Sequence, residues 1–234
     1  MTDPIIINGV EVGSSTDVRS LLRSEFRGGS RLAGRYDEGP EPGIRSLFEA
    51  AQGTPLEDRL LEALGSLLTD EDQKVRAGAV NMVLHYAEKF DPSQLLAILE
   101  RNPRLYRDLP VDQAADLDMA WTLLRAVAAT PTRDPQVIER LREAVTDPVK
   151  GMWVLAGVTS HDANWVIEHA QEVISDQPAR ARIVLYRLKD PRQREQLVRA
   201  IPSESPKLRK VIAEVVSEEI KDPSEKQRLL DLLK

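Results

Sequence analysis

Cysteine is absent from the 234 residues, so neither a disulfide nor a thiolate metal site can hold this chain together, and a reducing compartment is allowed. Aromatic residues make up only 4% while Leu, Ala, Val, Arg and Glu dominate, a balance that suits helix packed on helix better than a β-sandwich. No run of about 18 apolar residues occurs, and residues 1–13 lack a basic start followed by a long apolar stretch. No membrane span is expected, and the cytoplasm is the expected location. Enzyme signatures are scarce too: there are three histidines, no Gly-rich loop between a strand and a helix, and no Gly-x-Ser-x-Gly. Neither a cofactor nor a metal is expected, and the chain reads as non-catalytic. What is present is 41% hydrophobic residues, enough to build a substantial core.

The net charge of -6 argues against a general nucleic-acid binder, but it hides an asymmetry. Residues 177–234 contain 14 Lys and Arg against 9 Asp and Glu, and the excess is concentrated in 177–212, where 10 bases face 3 acids. Residues 1–176 carry the opposite sign.

The N-terminal run Ile5-Ile6-Ile7-Asn8-Gly9-Val10-Glu11-Val12 places Asn-Gly between two short β-prone segments, the pattern of a two-residue hairpin. A short helix follows over about 16–27, and then Gly28, Gly29, Gly34, Gly39, Pro40, Pro42 and Gly43 predict a loop. Residues 1–41 are therefore expected to be an appendage, and residues 42–234 the main domain. Beyond it Asp-Pro recurs at Asp91-Pro92, Asp134-Pro135, Asp147-Pro148, Asp190-Pro191 and Asp222-Pro223. Asp caps the free N–H groups of a first helical turn, and Pro fits its first position because the missing N–H has no partner there. Thr54-Pro55 and Ser205-Pro206 read as the same device with a hydroxyl.

Between these starts apolar residues fall at helical spacing, as in Val137, Ile138, Leu141, Ala144 and Val145. The segment Val149 to Val158 is apolar nearly all round and should be the most buried helix. Every second helix start falls about 29 to 40 residues after the last, which is the period of helix-pair repeats. One pair cannot bury its own apolar faces, whereas stacked pairs can.

Asp72-Gln73-Lys74-Val75-Arg76-Ala77-Gly78-Ala79-Val80 resembles the second-helix signature of HEAT repeats, an Asp, then Val-Arg, then a small residue at the packed turn. Weaker echoes stand at Asp147-Pro148-Val149-Lys150 and Ser205-Pro206-Lys207-Leu208-Arg209-Lys210. The resemblance implies an all-α, HEAT-like α-solenoid of about five helix pairs over 42–234, serving as a protein-binding scaffold with its second helices lining the concave face. By helical phase the contact stripe is expected to comprise Lys74, Asn81, His85, Thr122, Arg125, Arg180, Tyr186, Arg187 and Lys210, with another protein as partner.

Other chemistries compete for the same residues. His161, Asp162 and His169 suggest metal ligands, but the two histidines stand about 12 Å apart along a helix, too far for one ion. Trp121, Trp153 and Trp165 with Asp118 and Asp162 supply the residue types of a HEAT-like DNA glycosylase, although Trp121 and Trp153 sit in apolar stripes and read as core. Arg19, Arg23, Arg27, Arg31 and Arg35 recur every four residues and read as a solvated face. On the helix beginning at Pro178, Ala181, Val184, Leu185 and Leu188 point inward, leaving Arg180, Ile183, Tyr186 and Arg187 outward in the composition of a binding hot spot. An immunity protein neutralising a toxin and a nucleic-acid binder using 177–212 are the alternatives.

Overall fold

The computed structural model describes residues 6–7, 10–12, 17–28, 42–102, 105 and 119–234. The described chain is helical, apart from a short antiparallel pairing of Ile6–Ile7 (β1) with Val10–Glu11 (β2), in which Ile6 faces Glu11 and Ile7 faces Val10. That pairing is two residues long on each side, and the expected Asn8-Gly9 turn lies outside the described residues.

The chain divides into two compact units, residues 1–127 and 128–234. In the first unit α1 (Val18–Gly28) packs on α3 (Pro55–Leu67) and α4 (Gln73–His85), α2 (Pro42–Ala51) packs on α3, and α3 packs on α4. The helices α5 (Pro92–Arg101) and α6 (Met119–Ala129) follow. The expected division after residue 41 does not coincide with this one, because α1 buries Val18, Leu22 and Phe26 against its neighbours. An amphipathic helix with three core residues cannot stand apart as an appendage.

The small residue of the HEAT-like segment has a spatial reason. A Cβ on Gly78 would lie 2.5 Å from Cδ1 of Phe26, so only glycine lets α4 approach α1 this closely. The arginine comb of α1 is also structural, since Arg23 pairs with Asp70 at 2.8 Å, Arg19 approaches the same carboxylate at 3.6 Å, and Arg27 pairs with Asp72 at 3.2 Å. These contacts tie α1 to the loop between α3 and α4. Arg31 and Arg35 lie outside the described residues.

The second unit consists of α7 (Pro135–Thr146), α8 (Met152–His161), α9 (Ala163–Glu168), α10 (Ala170–Ile174), α11 (Pro178–Arg187), α12 (Pro191–Ala200), α13 (Pro206–Glu219) and α14 (Pro223–Leu232). In one succession α8 packs on α11 and α11 on α13; in the other α9 packs on α12 and α12 on α14; α7 packs on α8 and α10. Successive helices begin 26 and 28 residues apart in the first succession, at 152, 178 and 206, and 28 and 32 residues apart in the second, at 163, 191 and 223. This is helical-repeat packing of the HEAT-like kind.

The Asp-Pro punctuation works as helix capping at Asp91, Asp134, Asp190 and Asp222, whose carboxylates accept from backbone N–H groups of the first turn. Thr54 does the same for α3 by accepting from the Leu56 N–H at 3.3 Å. Two positions differ. Ser205 makes no side-chain cap bond. Asp147 closes α7, and its carboxylate accepts from the Val149 and Lys150 N–H groups at 2.9 and 2.7 Å, holding a turn where a helix was expected to begin. The helix therefore starts only at Met152, and Val149 is 76% exposed instead of lying in the most buried helix.

Candidate protein-binding surface

The N-terminal turn of α11 is fixed by Arg180. This side chain is 1% exposed, and its Nη1 donates to the carbonyls of Val145 at 2.9 Å and Val173 at 2.7 Å. Its Nη2 donates to the Asp147 carbonyl. The last turns of a helix have carbonyls without intrahelical partners, and Arg180 satisfies those of α7 and α10 together. Burial pushes its pKa down, and the charge of Asp147 partly restores it. Arg180 is thus a corrected assignment: it lies in the core and cannot touch a partner. Arg209 of α13 does similar work, donating to Ile201, Leu232 and Leu233 carbonyls at 3.3, 2.8 and 3.3 Å.

Much of the basic excess in 177–212 is consumed in this way. Arg182 bonds Glu218 and Glu219 on α13, Arg194 pairs with Glu225 at 2.7 Å, and Arg199 pairs with Glu195 at 2.7 Å. Lys210 approaches Glu214 at 4.0 Å. Arg187, Lys189, Arg192 and Lys207 have no acidic partner among the described residues.

Beyond Arg180, α11 presents a solvent-facing strip. Arg182 and Arg187 are exposed, Ile183 is half-buried, and Tyr186 is 64% exposed with the Lys189 ammonium 4.0 Å above its ring centroid. At the other end of α11, the Gln177 Nε2 donates to the Pro148 carbonyl at 3.3 Å, which brings the turn bearing Val149 and the start of α8 alongside. Among the described residues the exposed large hydrophobic side chains are Val149, Met152 and Tyr186. Val149 stands on the turn before α8 and Met152 at the start of α8, both by the first turn of α11, whereas Tyr186 stands in its last turn. Val149 and Met152 were not anticipated, because period-3.6 phasing treated Val149 to Val158 as one continuous helix.

The remaining stripe residues are divided between the units. Lys74 and His85 are exposed on α4 and Asn81 is half-buried there, while Arg125 is exposed on α6. Thr122 is 1% exposed and is a second correction. On α6 its neighbours Ala120, Leu123, Leu124, Ala126 and Val127 are all buried, so the helix is covered on nearly every side, and Arg125 is its exposed long side chain. Tyr186, Arg187 and Lys210 are exposed in the second unit.

Trp121 and Trp153 are half-buried, Asp118 lies outside the described residues, and Trp165 stacks on His169 with centroids 4.6 Å apart. His169 Nδ1 donates to the Trp165 carbonyl at 2.9 Å, and His161 Nε2 to the Ala129 carbonyl at 3.1 Å. Asp162 bonds the guanidinium of Arg142 at 2.8 Å. No group of three or more candidate metal ligands occurs among the described residues, and no described helix is long and apolar enough to cross a membrane.

No protein-family model and no curated protein matches the chain. Among solved structures it is similar to a designed armadillo repeat protein, YIII(Dq)4CqI, over 94% of this chain and 96% of that one, with 17% identity and a TM-score of 0.39. An engineered protein from the Northeast Structural Genomics Consortium matches over 94% and 92%, with 18% identity and a TM-score of 0.35. A second designed armadillo repeat protein, YIII(Dq.V1)4CPAF in complex with peptide (KR)4, matches over 94% and 96%, with 17% identity and a TM-score of 0.35.

Proposed function

We propose that this chain is a non-catalytic protein-binding module whose contact surface is the exposed strip of α11 together with the start of α8. The observation that supports this reading is Tyr186, a large side chain 64% exposed on α11 with the Lys189 ammonium over its ring and Arg187 exposed beside it. An exposed Tyr beside Arg and Lys has the composition of a binding hot spot. Tyr offers a large apolar body and a polar tip at low entropic cost. Arg180 fixes the helix that carries it, so little ordering cost falls on this side of a complex.

The nucleic-acid reading is weaker, because Arg180, Arg182, Arg194, Arg199 and Arg209 are bound to carbonyls or carboxylates of the protein itself. Phosphate binding needs free cations, and the salt dependence of such complexes follows their number. The test is affinity capture from the native host with wild-type protein and with the Tyr186→Ala/Arg187→Ala variant as baits. A protein partner recovered by the first and lost with the second, at equal melting temperature, supports the proposal. Equal recovery by both baits, or sub-micromolar binding of duplex DNA at physiological salt, overturns it.

A further inference from the structure

A second region of the 128–234 unit has the construction of a small-ligand site and is independent of the α11 surface. A cavity of about 110 Å³ is lined by Ala128, Ile138, Leu141 and Val158 on its apolar side, and by Thr130, Arg142, His161 and Asp162 among its polar residues. Its size suits an aliphatic group of four or five carbons, given that an engineered cavity of about 150 Å³ accepts benzene.

The polar residues define what head group such a body should carry. Arg142 directs Nε and Nη2 to the same carboxylate oxygen of Asp162, at 2.9 and 2.8 Å, and Oδ1 of Asp162 accepts no hydrogen bond among the described residues. His161 uses Nε2 as a donor to the Ala129 carbonyl, which leaves Nδ1 of the neutral ring as an acceptor. Two acceptors on the residues of one rim call for a donor. The charge balance agrees, because Arg142 also approaches Glu139 at 4.0 Å, so that one guanidinium is shared by two carboxylates and the trio carries one net negative charge. Residues 151–177 add Glu168, Glu172 and Asp176 and contain no Lys or Arg. Trp165 lies under Arg142, 5.3 Å from its ring centroid, and keeps the guanidinium in place.

We infer that this cavity binds a primary alkylammonium group, its chain against Ile138, Leu141 and Val158 and its nitrogen donating to Asp162 and His161. The same chemistry is offered by a free aliphatic amine and by a lysine side chain of a protein.

The test is NMR titration of the full chain with n-butylammonium, 1-butanol, butyrate and Nα-acetyl-lysine N-methylamide, following the backbone amides of Thr130, Gly157, His161 and Asp162. Saturable shifts are expected with butylammonium, with butanol and butyrate at least tenfold weaker. Asp162→Asn should weaken butylammonium binding at least tenfold, and Ile138→Trp, which fills the cavity, should abolish it while the melting temperature holds. Should Asp162→Asn lose its fold with the Arg142 contact, Ile138→Trp alone carries the test. Saturation by the lysine amide as well marks a protein side chain as an admissible source; saturation by butylammonium alone marks a free amine. No saturable shift, equal binding of butanol, or unchanged binding by Ile138→Trp overturns the inference.

Discussion

The guanidinium of Arg180 donates at 2.9 Å to the carbonyl of Val145, joining the first turn of α11 to the last turn of α7 across 35 residues of sequence. A stack of short helices multiplies helix ends, and every end leaves carbonyls without partners. In the second unit arginines take up part of that demand, Arg180 at α7 and α10 and Arg209 at α12 and α14.

Arg180→Met should therefore unfold the second unit more easily. Leaving buried carbonyls without a donor costs about 1–3 kcal/mol each, offset in part by no longer burying a charge, so a net loss of about 3 kcal/mol is expected. Urea unfolding measures it. Arg182→Met, which removes exposed ion pairs, should leave the urea midpoint where it is, and an equal loss in the two variants would contradict the capping role.

Glycine positions make a paired test of packing. A Cβ at Gly157 would run into the backbone carbonyl of Ala128, whereas one at Gly65 in α3 meets nothing within 4 Å. Gly157→Ala should destabilise by about 1–3 kcal/mol, the usual cost of overpacking, and Gly65→Ala should stabilise by about 0.5–1 kcal/mol through helix propensity. Thermal unfolding of both variants distinguishes them by sign.

Acid should weaken the first unit through Asp70. Burial raises this carboxyl, but the hydrogen bonds from Arg23 and from the Asp72 N–H, with the charges of Arg23 and Arg19, outweigh it and hold the pKa below the ordinary value. A depressed folded pKa gives stability that is present above the unfolded value, about 3.9, and is lost as pH falls through the folded one. Asp70→Asn should flatten that acid limb in a series of denaturation curves below about pH 4. An unchanged slope would show that the Arg23 pair contributes nothing to folding.

Val75 is fully buried on α4 and its neighbour Lys74 is exposed. Val75→Asp should prevent folding, since an unpaired buried charge costs several kcal/mol against a total stability of about 5–15 kcal/mol. Lys74→Glu should leave the melting temperature in place. Matching melting curves for the two variants would mean that α4 is rotated from the orientation described.

Helix existence was legible wherever Asp-Pro or Thr-Pro preceded an apolar period, because capping and burial then agree. Asp147 misled because the same dipeptide also closes a helix, and only tertiary context decides whether its carboxylate serves a turn or a first helical turn. Arg180 and Thr122 misled for a different reason. Helical phase names the face opposite the apolar stripe, but a helix packed between neighbours on two sides has little outer face, and a long cationic side chain can turn inward to carbonyls contributed by residues far away in sequence. The exposure of Tyr186 follows from its place opposite Ala181, Val184, Leu185 and Leu188, the buried stripe of α11. The cavity beside Asp162 was not, since it is assembled from the end of α6, the following loop, α7 and α8.

The most direct test of the protein-binding account places a photo-crosslinking residue at position 186, with position 227 of α14, also exposed, as a control. Irradiation in the native host followed by mass spectrometry reports what lies against each site. The account predicts a discrete protein adduct from position 186, absent from position 227 and removed by Arg187→Ala in the same chain. Adducts of equal yield from both positions, or nucleic-acid adducts from position 186, would contradict it.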